Sequence, residues 1–108
     1  AMQQLLASRP DAVFAASDVM AIGAMRAARD AGLQVPDDVA FVGFDDLPLP
    51  IPLEIPLTTM RQAVTEFGFK AVEILLDLIA NGVQPPRQII METELIIRAS
   101  CGFHRRGK

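Results

Sequence analysis

Two short apolar runs, AVFAA at residues 12–16 and the stretch from Val39 to Phe44, constrain this chain most tightly. Each is bounded by turn residues and is continuous rather than alternating, as strands covered on both faces are. Between them lies a helical stretch. Ser17 and Asp18 supply N-cap chemistry, residues 19–31 carry the helical pattern, and Gly32 stands where a C-cap glycine belongs. Two strands joined by a helix form a βαβ unit, which requires a parallel sheet and a crossover. The expected class is therefore α/β, a parallel sheet flanked by helices.

That arrangement places polar residues. In open parallel sheets, ligands bind outside the carboxyl ends of the strands. Ser17 and Asp18 follow the first run, and Asp45 and Asp46 follow the second, so all four are expected on one rim. Adjacent carboxylates suit a general acid and base, a cation site, or a clamp for sugar or ribose hydroxyls, because an ionised carboxylate accepts about four hydrogen bonds. The plainer alternative is one aspartate capping a turn and the other solvated. Chemistry is disfavoured by the absence of any His or Lys near the rim in sequence; His104, the one histidine, lies in the tail. The chain holds no glycine-rich phosphate loop, metal-ligand cluster or nucleophile elbow. No cofactor is expected.

The remaining segments read as follows. Met2, Leu5 and Leu6 suggest the end of a helix, stopped by Pro10. PLPIPLEIP at 48–56 is too rich in proline for helix or central strand and is expected to be a stiff, extended loop. Its residues Leu49, Ile51, Leu53 and Ile55 either mark an interface or fold back over their own domain. On the first long helix, Ala21, Ala24, Ala28 and Ala31 form a small-residue face suited to packing on the sheet, leaving Ile22, Met25, Arg26 and Arg29 to face elsewhere. With the proline loop, these suggest a partner surface. LTTM at 57–60 is a third strand, residues 61–81 a long helix closed by Gly82, and residues 88–91 and 95–98 two further strands separated by Glu92–Glu94.

Composition sets the limits. The chain of 108 residues, 51 % hydrophobic and 21 % charged, suits one globular domain with a real core. The net charge of −3 includes three positive charges from Arg105, Arg106 and Lys108, so residues 1–104 carry −6. Such a body is not a nucleic-acid surface. No apolar run approaches the roughly 18 residues a membrane span needs, and no leader pattern opens the chain, so no membrane partner is expected. The single Cys101 forms no internal disulfide, and the expected compartment is the cytoplasm.

AASDVMAIGAMRAARDAGLQVPDDVAFVGFDDLP, then PLTTMRQAVTEFGFKAVEILLDLI, then METELIIRASCG, in that order, resemble the C-terminal third of LacI/GalR-type bacterial transcriptional regulators from Pro10 to Gly102. The resemblance implies part of an effector-sensing domain with the fold of type I periplasmic sugar-binding proteins: two α/β subdomains, hinged, with a small ligand between them. It implies that residues 12–60 and 94–102 belong to the C-terminal subdomain, that 61–92 belong to the N-terminal one, and that 103–108 are a tail. The chain is thus expected to be a fragment, its long helix packing onto a neighbouring molecule by exchange or collapsing onto its own sheet.

By position, the resemblance makes Asp45 an acceptor for the effector, a sugar or nucleoside type of molecule. Ser17 stands where many relatives have Asn. Gln62 and Val64 match cleft-lining positions, while Asp18, Asp46, Thr58 and Thr59 match orienting and hinge positions. Ile22, Met25 and Leu53 fall on the dimer surface. The implied partners are a second copy of the chain and operator DNA, the latter through an N-terminal helix-turn-helix that is not in this sequence. The rival readings are a periplasmic sugar-binding protein of the same fold, an enzyme using Asp45 and Asp46, and a pure dimerisation module. The sensor is preferred, and no enzyme activity is expected.

Overall fold

The structure of this chain is a computed structural model that describes residues 1–83 and 85–105. Arg106 and Lys108 of the basic tail lie outside the described residues. The chain forms two compact units, one built from Ala1–Arg61 and the chain from Glu94 onward, the other from Gln62–Thr93.

In the first unit, α1 (Met2–Leu5) and a short 3-10 turn (Leu6–Ser8) lead into β1 (Ala12–Phe14). Helix α2 (Asp18–Asp30) then carries the chain to β2 (Ala40–Asp45), and residues 46–57 carry it on to β3 (Thr58–Gln62). β4 (Thr93–Ile96) completes a four-stranded sheet of order β1-β2-β3-β4. β1 and β2 are parallel, with Phe14 opposite Val42, and β2 and β3 are parallel, with Val42 opposite Thr58. The βαβ unit read from the sequence is therefore present. The crossover from β2 to β3 has no helix, because its prolines forbid one.

α2 owes its bounds to local chemistry. The Ser17 hydroxyl accepts a hydrogen bond from the Met20 N–H at 3.2 Å, satisfying one of the orphan donors of the first turn. At the other end Gly32 takes φ +81°, its N–H donating to Arg29 O at 2.8 Å while the Leu33 N–H donates to Ala28 O at 3.0 Å. That pair of bonds is a Schellman motif, and Leu33 packs against the core behind it.

The core comprises Met2, Ala15, Ala21, Met25, Ala28, Val35, Val39, Phe41 and Leu57. Asp18, Ala21, Met25 and Ala28 lie on one stripe of α2 at spacings of three and four and are all buried. This corrects the expected outward position of Met25. It falls between Ala21 and Ala28 on the same face, and sorting by side-chain size rather than by spacing misplaced it; Ala31, assigned to the packing face, is exposed as the C-cap.

The second unit contains α3 (Val64–Asn81). It begins later than expected because Arg61 and Gln62 extend β3, Arg61 pairing opposite Asp45. Residues 88–91 form no strand, contrary to expectation, whereas Thr93 and Glu94, expected to be a break, open β4. A strand needs a ladder partner, and apolar residues alone do not supply one. None of the residues of α3 is buried, and Phe67, Phe69, Val72, Leu75, Leu76 and Ile79 are exposed. No helix among the described residues is long and apolar enough to cross a membrane.

Candidate functional site

Parallel register puts the rim residues level. Phe14 pairs with Val42 and Val42 with Thr58, so Ser17, Asp45 and Arg61 each lie three residues beyond one row of partners. Ser17 and Asp45 thus share the carboxyl edge of adjacent strands, the place where an α/β sheet presents ligands. Both are partly exposed. Asp45 has φ +131° and Asp46 φ +56°, two consecutive non-glycine residues in a region that costs on the order of 1–3 kcal/mol each and persists only where surroundings enforce it.

The enforcement comes from Asp18. Its side chain sits in α2's first turn, 4 % exposed. One carboxylate oxygen accepts the Asp46 N–H at 2.9 Å and the other accepts the Thr59 hydroxyl at 2.6 Å. The carboxylate has room because position 43 is glycine: a Cβ there would strike Asp18 Oδ1 and lie 3.0 Å from Leu57 Cδ2. Asp18 is therefore a buried strut joining the ends of α2, β2 and β3 rather than a rim ligand. The adjacent helix N-terminus also favours its negative charge.

Asp46 is oriented by arginines. Its Oδ2 accepts from Arg61 Nε at 2.7 Å and its Oδ1 pairs with Arg98 Nη1 at 2.8 Å, leaving the side chain 11 % exposed. Arg98 foremost, and Arg61 after it, hold the Asp46 carboxyl below the ordinary carboxylate range against the opposing effect of burial. Asp46 is thereby not poised as a general acid.

Thr58 and Thr59 are fully buried with satisfied hydroxyls. The Thr58 Oγ1 accepts from Arg98 N at 2.9 Å and lies 3.1 Å from Arg98 O, to which it donates. Ser100 Oγ accepts the Thr58 N–H at 2.8 Å and donates to Phe41 O at 2.7 Å. Thr59, its neighbour, points the other way, to Asp18. Among the described residues no buried side-chain nitrogen or oxygen lacks a partner.

Gln62, the last residue of β3, and Val64, the first of α3, belong to the second unit, Gln62 half-buried and Val64 exposed. Ile22, Met25 and Leu53 line one groove of about 610 Å³ in the first unit, between α2 and residues 51–55. Met25 forms its buried floor, Ile22 and Leu53 are half-buried, and an Arg29–Glu54 ion pair spans the groove. Sequence reasoning missed Arg61, Arg98 and Ser100. The signal for Arg98 is an arginine closing an apolar run, LIIR, whose charge needs an acid somewhere in the fold. No group of three or more His, Cys, Asp or Glu suited to a metal exists among the described residues.

A parallel sheet that gathers hydroxyl and carboxylate groups at one carboxyl edge defines the class of α/β ligand-binding domains. Comparison with known proteins narrows it, since a family model described as a periplasmic binding protein-like domain matches residues 1–101. The regulator MalR of Streptomyces coelicolor is 48 % identical over 89 residues, 82 % of this chain and 26 % of that protein. Among solved structures, the regulator CelR in complex with cellobiose superposes with a TM-score of 0.83 at 40 % identity, covering 93 % of this chain and 31 % of that one. The lac repressor dimer bound to operator and an anti-inducer gives a TM-score of 0.78 at 35 % identity, covering 92 % and 35 %. The chain belongs to the LacI/GalR family of bacterial transcriptional regulators, within its periplasmic-binding-protein-like domain. It spans about a quarter of the length of the curated relative, and these relatives are regulators, not enzymes.

Proposed function

We propose that this chain is the effector-sensing and dimerisation part of a cytoplasmic DNA-binding regulator, and that its ligand is a small sugar-like or nucleoside-like molecule. The observation that carries this reading is the level placement of Ser17 and Asp45 at the carboxyl edge of adjacent parallel strands. Asp45 accepts hydrogen bonds from ligand hydroxyls. Ser17 Oγ already accepts from Met20 N–H, so toward a ligand its remaining proton makes it a donor. Gln62 and Val64 contribute from the second unit, and Asp18, Asp46, Thr58 and Thr59 orient the rim and the hinge. A relative solved as a cellobiose complex favours the sugar over the nucleoside.

In the complete fold the first unit is the C-terminal subdomain and the second belongs to the N-terminal one. The ligand favours one hinge angle, and a dimer formed through Ile22, Met25 and Leu53 conveys it to helix-turn-helix heads on operator DNA. Such a ligand changes DNA affinity only by the ratio of its own affinities for the two states. A thermal-shift screen of the complete gene product against cellobiose, lactose, sucrose and nucleosides tests this. A true ligand at 100 times its dissociation constant adds about 2.7 kcal/mol, and Asp45→Asn abolishes the shift. A shift of equal size in Asp45→Asn, or no shift with any of these compounds, overturns the reading.

A further inference from the structure

The carboxyl edge of the first unit is crowded with charge, all of it from residues of that unit. Among the described residues, Asp18, Asp45, Asp46 and Glu94 bring four carboxylates to it, against two guanidinium groups from Arg61 and Arg98. Both arginines are engaged by acids there. Arg61 Nε donates to Asp46 Oδ2 at 2.7 Å, and its Nη1 faces Glu94 Oε2 at 3.8 Å. Arg98 Nη1 reaches Asp46 Oδ1 at 2.8 Å and Leu57 O at 2.9 Å. The formal charge of this edge is therefore negative.

Anions bind an α/β rim at a glycine-rich loop or at the open N-terminus of a helix, where the first N–H groups and the helix dipole attract them. This chain has no such loop. The N-terminus of α2 is already occupied, since Ser17 Oγ accepts the Met20 N–H at 3.2 Å and the Asp18 carboxylate lies in the first turn, 4 % exposed. That carboxylate is not free to swing aside for an incoming anion, because the Asp46 N–H and the Thr59 hydroxyl hold its two oxygens. Its charge also offsets the roughly half unit of positive charge at a helix N-terminus. Toward a ligand the rim therefore presents hydrogen bonding without net positive charge, the Ser17 hydroxyl proton as donor and Asp45 as acceptor.

We propose that this rim selects an uncharged ligand and rejects its phosphorylated counterpart, so that the regulator senses the free sugar or nucleoside and not the ester. The inference rests on the effector reading above and narrows its ligand class. A phosphate monoester carries about −1.5 to −2 charges at pH 7. Within a few ångströms of Asp45, in a partly wet cleft, it meets like-charge repulsion large enough to weaken binding about a hundredfold.

Calorimetric titration of the complete gene product with cellobiose, lactose, sucrose and adenosine, each beside its phosphate monoester, tests this. The uncharged member of a pair binds, and its ester binds about a hundredfold more weakly at low salt. At about 1 M salt, where screening shortens the reach of charge to about 3 Å, the gap falls below about tenfold. Glu94→Gln, at a side chain 71 % exposed, removes one carboxylate from beside Arg61. It leaves the affinity for the uncharged ligand unchanged and narrows the gap about threefold, a difference that a merely structural role would not produce. An ester that binds as tightly as its parent overturns the proposal and leaves the effector reading standing. A gap that neither salt nor Glu94→Gln moves is steric and overturns it too. Where no compound of either kind binds, the effector reading fails and this inference falls with it.

Discussion

Adding one methyl group at Gly43 probes the strut beneath the rim. The new Cβ strikes Asp18 Oδ1, lies 3.0 Å from Leu57 Cδ2 and sits 3.4 Å from Ala21 Cβ. Overpacking of this kind costs about 1–3 kcal/mol by itself. The carboxylate must also shift, weakening its bonds to Asp46 N–H and the Thr59 hydroxyl, and hydrogen bonds to charged groups are worth about 1.5–3 kcal/mol each. Gly43→Ala is therefore expected to cost about 3 kcal/mol, and Asp18→Ala, which leaves both donors buried and unpaired, about as much. Together they cost less than the sum, by on the order of 2 kcal/mol, because the methyl then occupies space the carboxylate has vacated. Urea unfolding followed by far-ultraviolet circular dichroism measures this, since the chain has no Trp or Tyr to report by fluorescence. At a slope of about 1.5 kcal/mol/M, a loss of that size lowers the midpoint by about 2 M. Strict additivity of the two substitutions would refute the claim that Gly43 exists to admit Asp18.

Two further outcomes follow from the rim and the groove. The folded-state pKa of Asp46 lies below its ordinary value of 3.8, so the unfolded chain binds the proton more readily. The stability this supplies is complete above the unfolded pKa and is lost as pH falls through the folded one. Thermal melts in a series descending below about pH 4 should show that loss in the wild type and a shallower decline in Asp46→Asn. At the groove, Ile22→Glu places a charge on a half-buried position beside Met25 and Leu53. Sedimentation equilibrium should show it shifting the complete regulator from dimer toward monomer with α2 intact; an unchanged mass would remove these residues from the interface.

The βαβ unit was legible because its signals are local. Continuous apolar runs, the Ser17 cap and Gly32 each act within a few residues. The polar rim followed from the same reading, since parallel strands must expose their carboxyl ends together. What escaped were long-range dependencies. Asp46 finds Arg98 at a sequence separation of 52, and no local spacing announces that partner. Asp18 looks like an ordinary first-turn acid until Gly43 is seen to leave a hole for it. Residues 88–91 have the composition of a strand, but pairing is a property of neighbours and not of composition. Met25 was misplaced for a different reason, since helical spacing already contained the answer.

β3 is bolted from both faces, Thr58 to Arg98 and Ser100 on one side and Thr59 to Asp18 on the other. Valine at either position would preserve shape and strand preference, yet would strand a buried donor or acceptor. A slip of the strand by one residue would be worse, because it would turn each hydroxyl toward the opposite layer and break both attachments at once. Apolar packing tolerates such sliding among similar side chains. Here two adjacent hydroxyls act as a key that admits a single alignment, and the alignment they select is the one that sets Arg61 opposite Asp45.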